Sequence, residues 1–302
     1  MANFVKPPVL NTGDKVAIVA PSGVVEEDYV HHTANILRNW GLEVEYGANM
    51  FAKHHQFAGS DVQRLADLQW ALDDEEVKAV LCARGGYGVM RILDKIHWHK
   101  FEQNPKWLAG FSDITALHSA IHLRGIQSLH SVMPINISKL NASSKMLELF
   151  GTALYKSSLQ YTFKTNQLNR TGTEKAVLAG GNLSLLYALA GTDFDINLEG
   201  KILFIEDVGE HYYHIDRMMQ SLRLAGKLEK LSGLIVGGLT EMMDDKRPFG
   251  RSPQEIISDA VEGFDYPVVF DFPGGHIQEN SPLILGAETA VEVNSEKVII
   301  HM

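Results

Sequence analysis

The sequence predicts an α/β fold, in which an N-terminal domain with a parallel β-sheet is followed by a C-terminal mixed α/β domain. The first half of the chain alternates short apolar segments, typical of buried strands, with longer segments of helical spacing. The second half repeats the alternation but closes on two strand-like runs joined by a turn. At 302 residues with 45% hydrophobic content, the chain is long enough for two domains. We expect the domains at 1–155 and 173–302, connected by 156–172, where the pattern weakens.

In the first half, the predicted strands are followed by turn or helix signals. The apolar run 15–20 ends at Pro21-Ser22-Gly23, and Ser60 with Gln63 forms a capping box in front of a helix that runs through Leu72. This alternation predicts a parallel sheet covered by helices on both faces, with ligands at the carboxyl ends of the strands. Further strands are expected at 42–46, 77–83 and 107–111, and further helices at about 26–40 and at 87–96.

The second half combines strands and helices with a terminal hairpin. Its last two strand-like runs, 288–293 and 297–300, are joined by Asn294-Ser295-Glu296, which is a hairpin signal. The other predicted strands are 201–205, 234–237 and 268–270, and the predicted helices lie at about 182–190, 212–225 and 252–262.

Composition and charge exclude several functional classes. The net charge of −10 and the lack of a basic stripe argue against nucleic acid as a partner. No stretch approaches the ~20 apolar residues that span a bilayer, and residues 1–8 lack the basic and apolar regions of a secretory signal. A single cysteine, Cys82, excludes an internal disulfide framework and fits a reducing compartment. We therefore expect a cytoplasmic protein with no membrane and no nucleic-acid partner.

The segment Gly110-Phe111-Ser112-Asp113-Ile114-Thr115 carries the first candidate catalytic group. It stands between the apolar run Trp107-Leu108-Ala109 and a helix signal, which predicts Ser112 on a sharp turn at the carboxyl end of a strand. The first N–H groups of the helix would then face whatever the Ser112 hydroxyl attacks. The alternative is that Ser112 or Asp113 is an ordinary helix N-cap. The segment lacks the second glycine of the GxSxG elbow, which argues against lipases and esterases.

A serine nucleophile needs a base and a group that orients the base. Among the 13 histidines, His276 stands out because it follows an apolar run and the turn Pro273-Gly274-Gly275, at the carboxyl end of a predicted strand. Glu206 also ends an apolar run, where a buried carboxylate needs a partner such as an imidazole. Local sequence does not separate Glu206 from Asp207, and His276 could be an ordinary loop residue. Most other histidines are expected on helix surfaces or in loops, without a special setting: His31, His32, His54, His55, His97, His99, His118 and His122.

The loop Arg84-Gly85-Gly86-Tyr87-Gly88 follows the predicted strand 77–83. Adjacent glycines let the backbone approach a ligand closely, and Gly86 is a candidate for a second oxyanion-hole N–H. Arg84 is a candidate for binding a carboxylate, and Tyr87 is a second candidate substrate-binding residue. The alternative is a plain tight turn into a helix. A dinucleotide fingerprint is excluded, because Arg91 stands where the third glycine of GxGxxG would fall.

Two other constellations offer different chemistry. Cys82 could be a nucleophile, as in glutamine amidotransferases, but it lies inside an apolar strand-like run, which favours core packing. His211 and His214 could bind a metal near Glu206, but they lack the HExxH spacing. We expect both of these histidines to face solvent in the first turn of a helix.

Four separated motifs together resemble the LD-carboxypeptidase family of serine peptidases, which includes the microcin-immunity peptidases. They are Gly85-Gly86-Tyr87-Gly88, Gly110-Phe111-Ser112-Asp113, Phe204-Ile205-Glu206-Asp207 and Phe272-Pro273-Gly274-Gly275-His276, and the likeness runs from about residue 14 to 290. The resemblance implies a catalytic triad of Ser112, Glu206 and His276, and it selects Glu206 over Asp207. It also implies an oxyanion hole from the backbone N–H groups of Gly86 and Asp113. No metal or other cofactor is implied.

The same resemblance implies an N-terminal α/β domain and a C-terminal mixed domain with the active site between them, often in a homodimer. The implied function is removal of the terminal D-alanine from a muropeptide tetrapeptide during cell-wall recycling. Two alternatives stay open. One is cleavage of a peptide-nucleotide antibiotic or another amide by a related peptidase, and the other is a non-catalytic ligand-binding protein built on two α/β domains.

Overall fold

The computed structural model describes residues 4–141 and 144–302 and divides into two compact units. The first unit contains the described residues up to Ser157 together with Ser281–Ile284, and the second contains Ser158–Asn280 and Leu285–Met302. Residues 1–3, part of the segment searched for a secretory signal, lie outside the described residues. The domain boundaries expected from the sequence remain a proposal. In addition, the chain returns to the first unit at Ser281–Ile284 and then passes back to the second unit at Leu285.

Strands and helices alternate along most of the chain. The described strands are β1 (Lys15–Val19), β2 (Glu43–Tyr46), β3 (Val77–Cys82), β4 (Trp107–Gly110), β5 (Ser128–His130), β6 (Gln160–Lys164), β7 (Gly172–Asn182), β8 (Lys201–Val208), β9 (Gly233–Thr240), β10 (Val268–Val269), β11 (Leu283–Leu285), β12 (Glu288–Val293) and β13 (Lys297–His301). The described helices are α1 (Glu27–Asn39), α2 (Asp61–Asp73), α3 (His99–Gln103), α4 (Thr115–Leu123), α5 (Pro134–Ile137), α6 (Lys145–Lys156), α7 (Leu183–Leu189), α8 (Tyr212–Leu224) and α9 (Pro253–Ala260). None of these described helices has the length and apolar character needed to cross a bilayer.

The first unit is built on a sheet with the strand order β11-β5-β4-β3-β1-β2. The pairs β2–β1, β1–β3, β3–β4 and β4–β5 are all parallel, which confirms the predicted parallel sheet. The central strands β1, β3 and β4 are buried almost throughout, because helices cover both faces of such a sheet. Their carboxyl ends therefore lie along one edge, and the loops that follow them are neighbours.

Two predicted helices of the first unit form where the sequence places them. The helix predicted at about 26–40 is α1, and α2 begins at the predicted capping box. There the Ser60 side chain accepts from the Gln63 N–H, and the Gln63 side chain accepts from the Ser60 N–H.

The helix predicted over 87–96 is wrong. Two short 3-10 turns, Val89–Arg91 and Leu93–Lys95, stand there instead. Gly88, just before them, has a φ of +148°, and the N–H that follows it is donated to the Asp113 carboxylate at 2.9 Å. The chain is therefore bent towards Asp113 where a regular helix would have to begin.

The second unit contains a mixed sheet with the strand order β10-β9-β8-β7-β12-β13-β6. β7, β8, β9 and β10 pair in parallel, whereas β7–β12, β12–β13 and β13–β6 pair antiparallel, which confirms the mixed domain. The predicted terminal hairpin is the β12–β13 pair. β6 forms one edge of this sheet, although the sequence placed residues 160–164 in the connection between domains.

A continuous apolar core packs against the parallel part of this sheet. One face of α8 contributes Ile215, Met218, Met219 and Leu222, at the spacing of an amphipathic helix. β8 runs through the middle of the sheet and is buried over most of its length. The two carboxylates on this strand, Glu206 and Asp207, are consequently buried.

Ser60→Ala should lower the free energy of unfolding of the first unit by about 1 kcal/mol, because the Gln63 N–H loses its capping acceptor. Urea unfolding followed by circular dichroism measures this as a lower midpoint at unchanged slope. Ser295→Ala removes an exposed turn hydroxyl and is the matched control, with no expected shift. Equal midpoints for Ser60→Ala and the unmodified protein would contradict the contribution of the cap.

Candidate active site

Ser112 stands at the carboxyl end of β4 and opens a 3-10 turn, Ser112–Ile114, that leads into α4. Its φ is +66°, a left-handed conformation that residues other than glycine seldom adopt. The surrounding structure has to hold such a strained residue in place. The N-cap positions of the turn and of α4 are Phe111 and Ile114, so neither Ser112 nor Asp113 is the ordinary N-cap considered from the sequence.

The loop after β3 packs directly against this serine. A Cβ built on Gly85 would lie 2.7 Å from the Ser112 Cβ, 2.9 Å from its Oγ and 3.3 Å from the Asp113 backbone nitrogen. No side chain fits there, so residue 85 has to be glycine for this loop and Ser112 to lie together. The sequence suggested that the glycines make room for a ligand, but at Gly85 the room is occupied by the serine itself.

The other candidate residues of the loop keep exposed surface. Gly86 is exposed with a φ of +100°, and its N–H has no hydrogen-bond partner within the described part of the chain. Arg84 is exposed and donates from Nη1 to the Val24 carbonyl oxygen at 2.7 Å. Tyr87 is 47% exposed, and its ring centroid lies 6.1 Å from that of Phe57. This edge of the first unit thus presents a backbone donor, a cation and an aromatic ring to solvent.

The Asp113 side chain is buried and joins three loops. Its Oδ2 accepts hydrogen bonds from the Ser22 hydroxyl at 2.6 Å and from the Val89 N–H at 2.9 Å. Burial raises the pKa of this carboxyl group above its usual value, although the hydrogen bonds to it oppose the rise. Because Ser22 follows β1 and Val89 follows β3, Asp113 links the loops after three neighbouring strands. Local sequence patterns do not indicate this role for Ser22.

The expectation for His118 is wrong, because this residue lies in the interior of the first unit. Its Nδ1 is 2.8 Å from the Ser128 hydroxyl oxygen and its Nε2 is 2.9 Å from the Gly110 carbonyl oxygen. Burial lowers the pKa of His118 to about 4, so the ring is neutral near pH 7. His122 is also buried. The signal available in the sequence was the apolar character of α4 around its whole circumference.

In the second unit, Glu206 and His276 form one hydrogen-bonded pair. Glu206 lies on β8 with 0% of its surface exposed, and its Oε2 accepts both the His276 backbone N–H at 3.0 Å and the His276 Nδ1–H at 2.6 Å. A carboxylate only accepts, so Nδ1 carries the proton of this bond. Nε2 is then the ring nitrogen that can take up and release a proton.

The backbone beside His276 is fixed from two sides. Gly275 has a φ of +101° and passes so close to Glu206 that a Cβ there would lie 2.6 Å from the carboxylate Oε2. The Gly275 N–H donates to Oδ1 of buried Asn280 at 2.7 Å, and the Thr240 hydroxyl donates to the His276 carbonyl oxygen at 2.8 Å. These bonds hold the loop so that the backbone N–H and the ring Nδ1–H of His276 both point to the Glu206 Oε2. Sequence reasoning missed Asn280 and Thr240, which stand in no pattern that distinguishes them from other polar residues.

Asp207, the alternative that local sequence left open, has different partners. Successive residues of a strand point to opposite faces, and the Asp207 carboxylate accepts from Asn182 Nδ2 and from the Ser184 N–H, both at 2.9 Å. Burial raises the pKa of Asp207 to about 6. The Asp207 carboxylate also accepts from the Val208 N–H at 2.9 Å, whereas Glu206 is the carboxylate bonded to His276.

Opposing effects set the pKa of His276. Burial of the ring lowers the pKa, but the hydrogen bond to Glu206 and the negative charges of Glu206, Asp207 and Glu241 raise it above the usual value on balance. The nearby carboxylates therefore stabilise the protonated imidazole. An imidazole with a fixed tautomer and a stabilised cation has the properties of a general base.

The two rival constellations show ordinary surroundings. Cys82 is buried in β3, and burial raises the pKa of its thiol far above the usual value, as expected for core packing. His214 pairs through Nδ1 with Glu210, and the His211 Nδ1 lies 3.8 Å from an Asp245 carboxylate oxygen. Across residues 4–141 and 144–302, no three His, Cys, Asp or Glu side chains are grouped as a metal site requires.

Family models match both halves of the chain. Residues 16–131 match the LD-carboxypeptidase N-terminal domain, and residues 175–291 match the LD-carboxypeptidase C-terminal domain. The chain belongs to the LD-carboxypeptidase family. It is accordingly a serine-type carboxypeptidase, and the resemblance drawn from the four motifs is confirmed.

Relatives of this family cover nearly the whole length. A probable murein peptide carboxypeptidase of Bacillus subtilis is 35% identical, over 98% of this chain and 94% of its own. The crystal structure of muramoyltetrapeptide carboxypeptidase from Oxalobacter formigenes, 27% identical, superposes with a TM-score of 0.87 over 95% of this chain and 98% of its own. An MccF-like protein from Bacillus anthracis reaches a TM-score of 0.85 at 22% identity, over 98% and 99% of the two chains, and shares the fold.

Glu206→Gln should lower the pKa of His276, because the substitution removes the charge and weakens the hydrogen bond that stabilise the imidazolium. NMR titration of the His276 ring measures this pKa directly. Asp207→Asn is the matched control, since it removes a neighbouring carboxylate that makes no hydrogen bond to the ring, and it should lower the pKa less. An unchanged pKa in Glu206→Gln would contradict the described pair.

Proposed function

We propose that this carboxypeptidase removes the terminal D-alanine from muropeptide tetrapeptides through an acyl-enzyme, with Ser112 as nucleophile, His276 as base and Glu206 as the orienting carboxylate. The observation that carries the proposal is the pair of hydrogen bonds from His276 to the Glu206 Oε2, which places a proton on Nδ1 and makes Nε2 the basic nitrogen of the ring. The names of the Bacillus subtilis and Oxalobacter formigenes relatives, murein peptide and muramoyltetrapeptide carboxypeptidase, support this substrate class.

In the acylation step, the Ser112 Oγ attacks the carbonyl carbon that joins the third peptide residue, an L-centre, to D-alanine. His276 Nε2 takes the hydroxyl proton as the C–O bond forms and gives it to the nitrogen of D-alanine as the C–N bond breaks. A water molecule, deprotonated by the same nitrogen, then hydrolyses the ester and releases the tripeptide. The mechanism requires His276 Nε2 to come within hydrogen-bond reach of the Ser112 Oγ.

We propose that the backbone N–H groups of Gly86 and Asp113 stabilise the negative charge of the tetrahedral intermediate. Support comes from Gly85, at which a Cβ would lie within 3.3 Å of both the Ser112 Oγ and the Asp113 nitrogen, so that loop and nucleophile are neighbours. Fixed donors of this kind stabilise charge without reorganising. Glu206 in turn stabilises the imidazolium that forms on His276.

An exopeptidase also has to bind the free carboxylate of its substrate. We propose that Arg84 binds this carboxylate and that Tyr87 is a further contact of the substrate. Arg84 uses one Nη1–H for the Val24 carbonyl oxygen, and a guanidinium has five N–H donors, so donors remain for a carboxylate.

The cellular setting is proposed as well. The single cysteine and the net charge of −10 support a cytoplasmic enzyme of peptidoglycan recycling that acts on a small peptide and on neither nucleic acid nor membrane. The proposed triad chemistry uses no metal and no other cofactor. We further propose a homodimer, on the family resemblance alone.

Ser112→Ala and His276→Ala should each lower kcat by several orders of magnitude, and the double variant should be little worse than either, because the members of a triad act as one unit. Steady-state kinetics on a tetrapeptide muropeptide measure this. His211→Ala, a change at a partly exposed histidine of the second unit, is the control and should keep full activity. A double variant that lost the product of the two single factors would contradict a shared step.

A tetrapeptide ending in D-alanine should be cleaved at least about 100-fold faster than its L-alanine epimer, because inversion displaces the carboxylate or the scissile bond by about 1 Å or more. Amidation of the terminal carboxyl group should be comparably harmful, since it removes the charge that the anchor binds. Comparing kcat/KM for the three peptides tests both expectations. Equal rates on the two epimers would contradict the assigned stereochemistry while leaving a serine amidohydrolase in place.

Two outcomes would select the alternatives. Turnover of a peptide-nucleotide amide with none of the D-alanine tetrapeptide would favour an enzyme of the microcin-immunity kind. Absence of labelling by a fluorophosphonate probe, with Ser112→Ala as the reference, would favour a non-catalytic ligand-binding protein.

A further inference from the structure

The direction of the Gly86 N–H is set by a hydrogen bond on the other side of the same peptide group. The Gly85 carbonyl oxygen accepts from the Gly23 N–H at 3.0 Å. In a planar trans peptide group the C=O and the N–H point in opposite directions. Fixing the Gly85 carbonyl on Gly23 therefore aims the Gly86 N–H away from the turn 21–23. The close fit is selective, because a Cβ on Gly23 would lie 2.9 Å from that carbonyl oxygen.

A buried arginine on α2 holds the turn that carries Gly23. Arg64 is 1% exposed, and its Nη1 donates to the carbonyl oxygens of Pro21 and, at 2.9 Å, of Gly88. Its Nη2 donates to the Asp61 carboxylate at 2.5 Å. One guanidinium thus ties the loop after β1 to the far end of the loop that contains Gly85 and Gly86.

The backbone of the loop packs tightly against this guanidinium. A Cβ on Gly88 would lie 2.6 Å from the Arg64 Nη1, so the loop approaches the cation as closely as its backbone allows. A lysine would place a single ammonium at the end of a flexible stem and could not span the same acceptors with a rigid planar fork. Hydrogen bonds from a charged donor are also stronger than those from a neutral donor.

We propose that Arg64 is a positioning residue for the oxyanion hole, acting through Pro21, Gly23 and the Gly85 carbonyl on the Gly86 N–H. The inference rests on the proposed function, since it takes Gly86 as an oxyanion donor. Arg64 is buried, and its hydrogen bonds go to Pro21, Gly88 and Asp61. Its effect is on transition-state stabilisation, because a backbone donor aimed wrongly loses much of the charge stabilisation that a fixed donor supplies.

Arg91 provides a matched control, because its side chain contacts the same carboxylate, Asp61, and the same aromatic ring, Phe57. Both arginines pair with Asp61, and their guanidinium carbons lie 5.0 Å (Arg64) and 5.5 Å (Arg91) from the Phe57 ring centroid. Arg91, however, is exposed and makes no side-chain hydrogen bond to the carbonyl groups of Pro21 or Gly88. A comparison of Arg64→Lys with Arg91→Lys therefore isolates the bonds to the two loops.

The experiment measures kcat, KM and two inhibition constants for each variant on the full-length protein. The first inhibitor is a tripeptide aldehyde, whose adduct with the serine places an oxyanion in the hole, and the second is the tripeptide product, which forms no adduct. Arg64→Lys should lower kcat about 10- to 100-fold with KM within about threefold, and weaken the aldehyde by a similar factor while leaving the product unchanged. Arg91→Lys should resemble the unmodified enzyme in all four quantities.

A purely structural role for Arg64 would give a different result. Loss of folded enzyme would lower the melting temperature and the apparent kcat but leave both inhibition constants of the remaining folded enzyme unchanged. That result, or wild-type kinetics in a folded Arg64→Lys enzyme, would overturn the proposal.

Gly23→Ala keeps the test decisive if Arg64→Lys does not fold. Its methyl group would press on the Gly85 carbonyl oxygen from 2.9 Å, and the expected result is the same selective weakening of the aldehyde. Gly263→Ala, at a site with nothing within 4 Å of the new Cβ, is its control. Unchanged aldehyde binding in Gly23→Ala would overturn the proposed route through the Gly85 carbonyl.

Failure of the proposed function would look different from failure of this inference. If Ser112→Ala kept its activity, the nucleophile would be misassigned, and aldehyde binding would no longer report on an oxyanion bound beside Ser112. If Ser112→Ala were inactive and Arg64→Lys matched Arg91→Lys, the proposed function would stand and only the role of Arg64 would fall.

Discussion

Close approach of the backbone at the ends of parallel strands is the constraint on which the candidate site depends. Gly85 lies against Ser112 and Gly275 lies against Glu206, and in both places a Cβ would come within 2.7 Å of the functional side chain. A glycine in each unit thus lets a loop lie directly on the residue that ends or follows a buried strand. Each unit therefore uses a glycine to pack a loop against a functional side chain, which is a hydroxyl group in the first unit and a carboxylate in the second.

The neighbours Glu206 and Asp207 show how a strand separates two buried charges. An unpaired carboxylate in the interior is strongly unfavourable, so each of the two needs donors of its own. Alternation along β8 gives Glu206 the two N–H groups of His276 and gives Asp207 the donors at the start of α7. One carboxylate is therefore available to a titrating imidazole, while the other fixes a helix to the sheet.

Most of the architecture follows from periodicity, because the pattern of apolar residues reports the burial of whole elements. The parallel sheet, the capping box at Ser60 and the final hairpin were all predictable in this way. The helix predicted over 87–96 failed because a single long-range bond, from the Val89 N–H to Asp113, competes with helix formation. Helix propensity depends on the local sequence and does not account for hydrogen bonds to distant residues.

The residue types of the candidate site could be predicted from the sequence, but the hydrogen bonds between them could be predicted only in part. Strand-end position singled out Ser112 and His276, since ligands bind beyond the carboxyl ends of the strands in sheets of this kind. The choice of Glu206 over Asp207 needed either the family resemblance or the observed hydrogen bonds. Residues that act only on the backbone, such as Asn280, make bonds that depend on tertiary structure and leave no local signature.

The return of Ser281–Ile284 to the first unit has a consequence for biosynthesis. β11 lies beside β5 at the edge of the first sheet, yet it is made only after nearly all of the second unit. A nascent chain that has completed the first 157 residues therefore still exposes the unpaired edge of β5. Such an edge is a template for wrong pairing until the partner strand arrives. The first unit, although it begins the chain, is therefore completed only after most of the second unit has been synthesised.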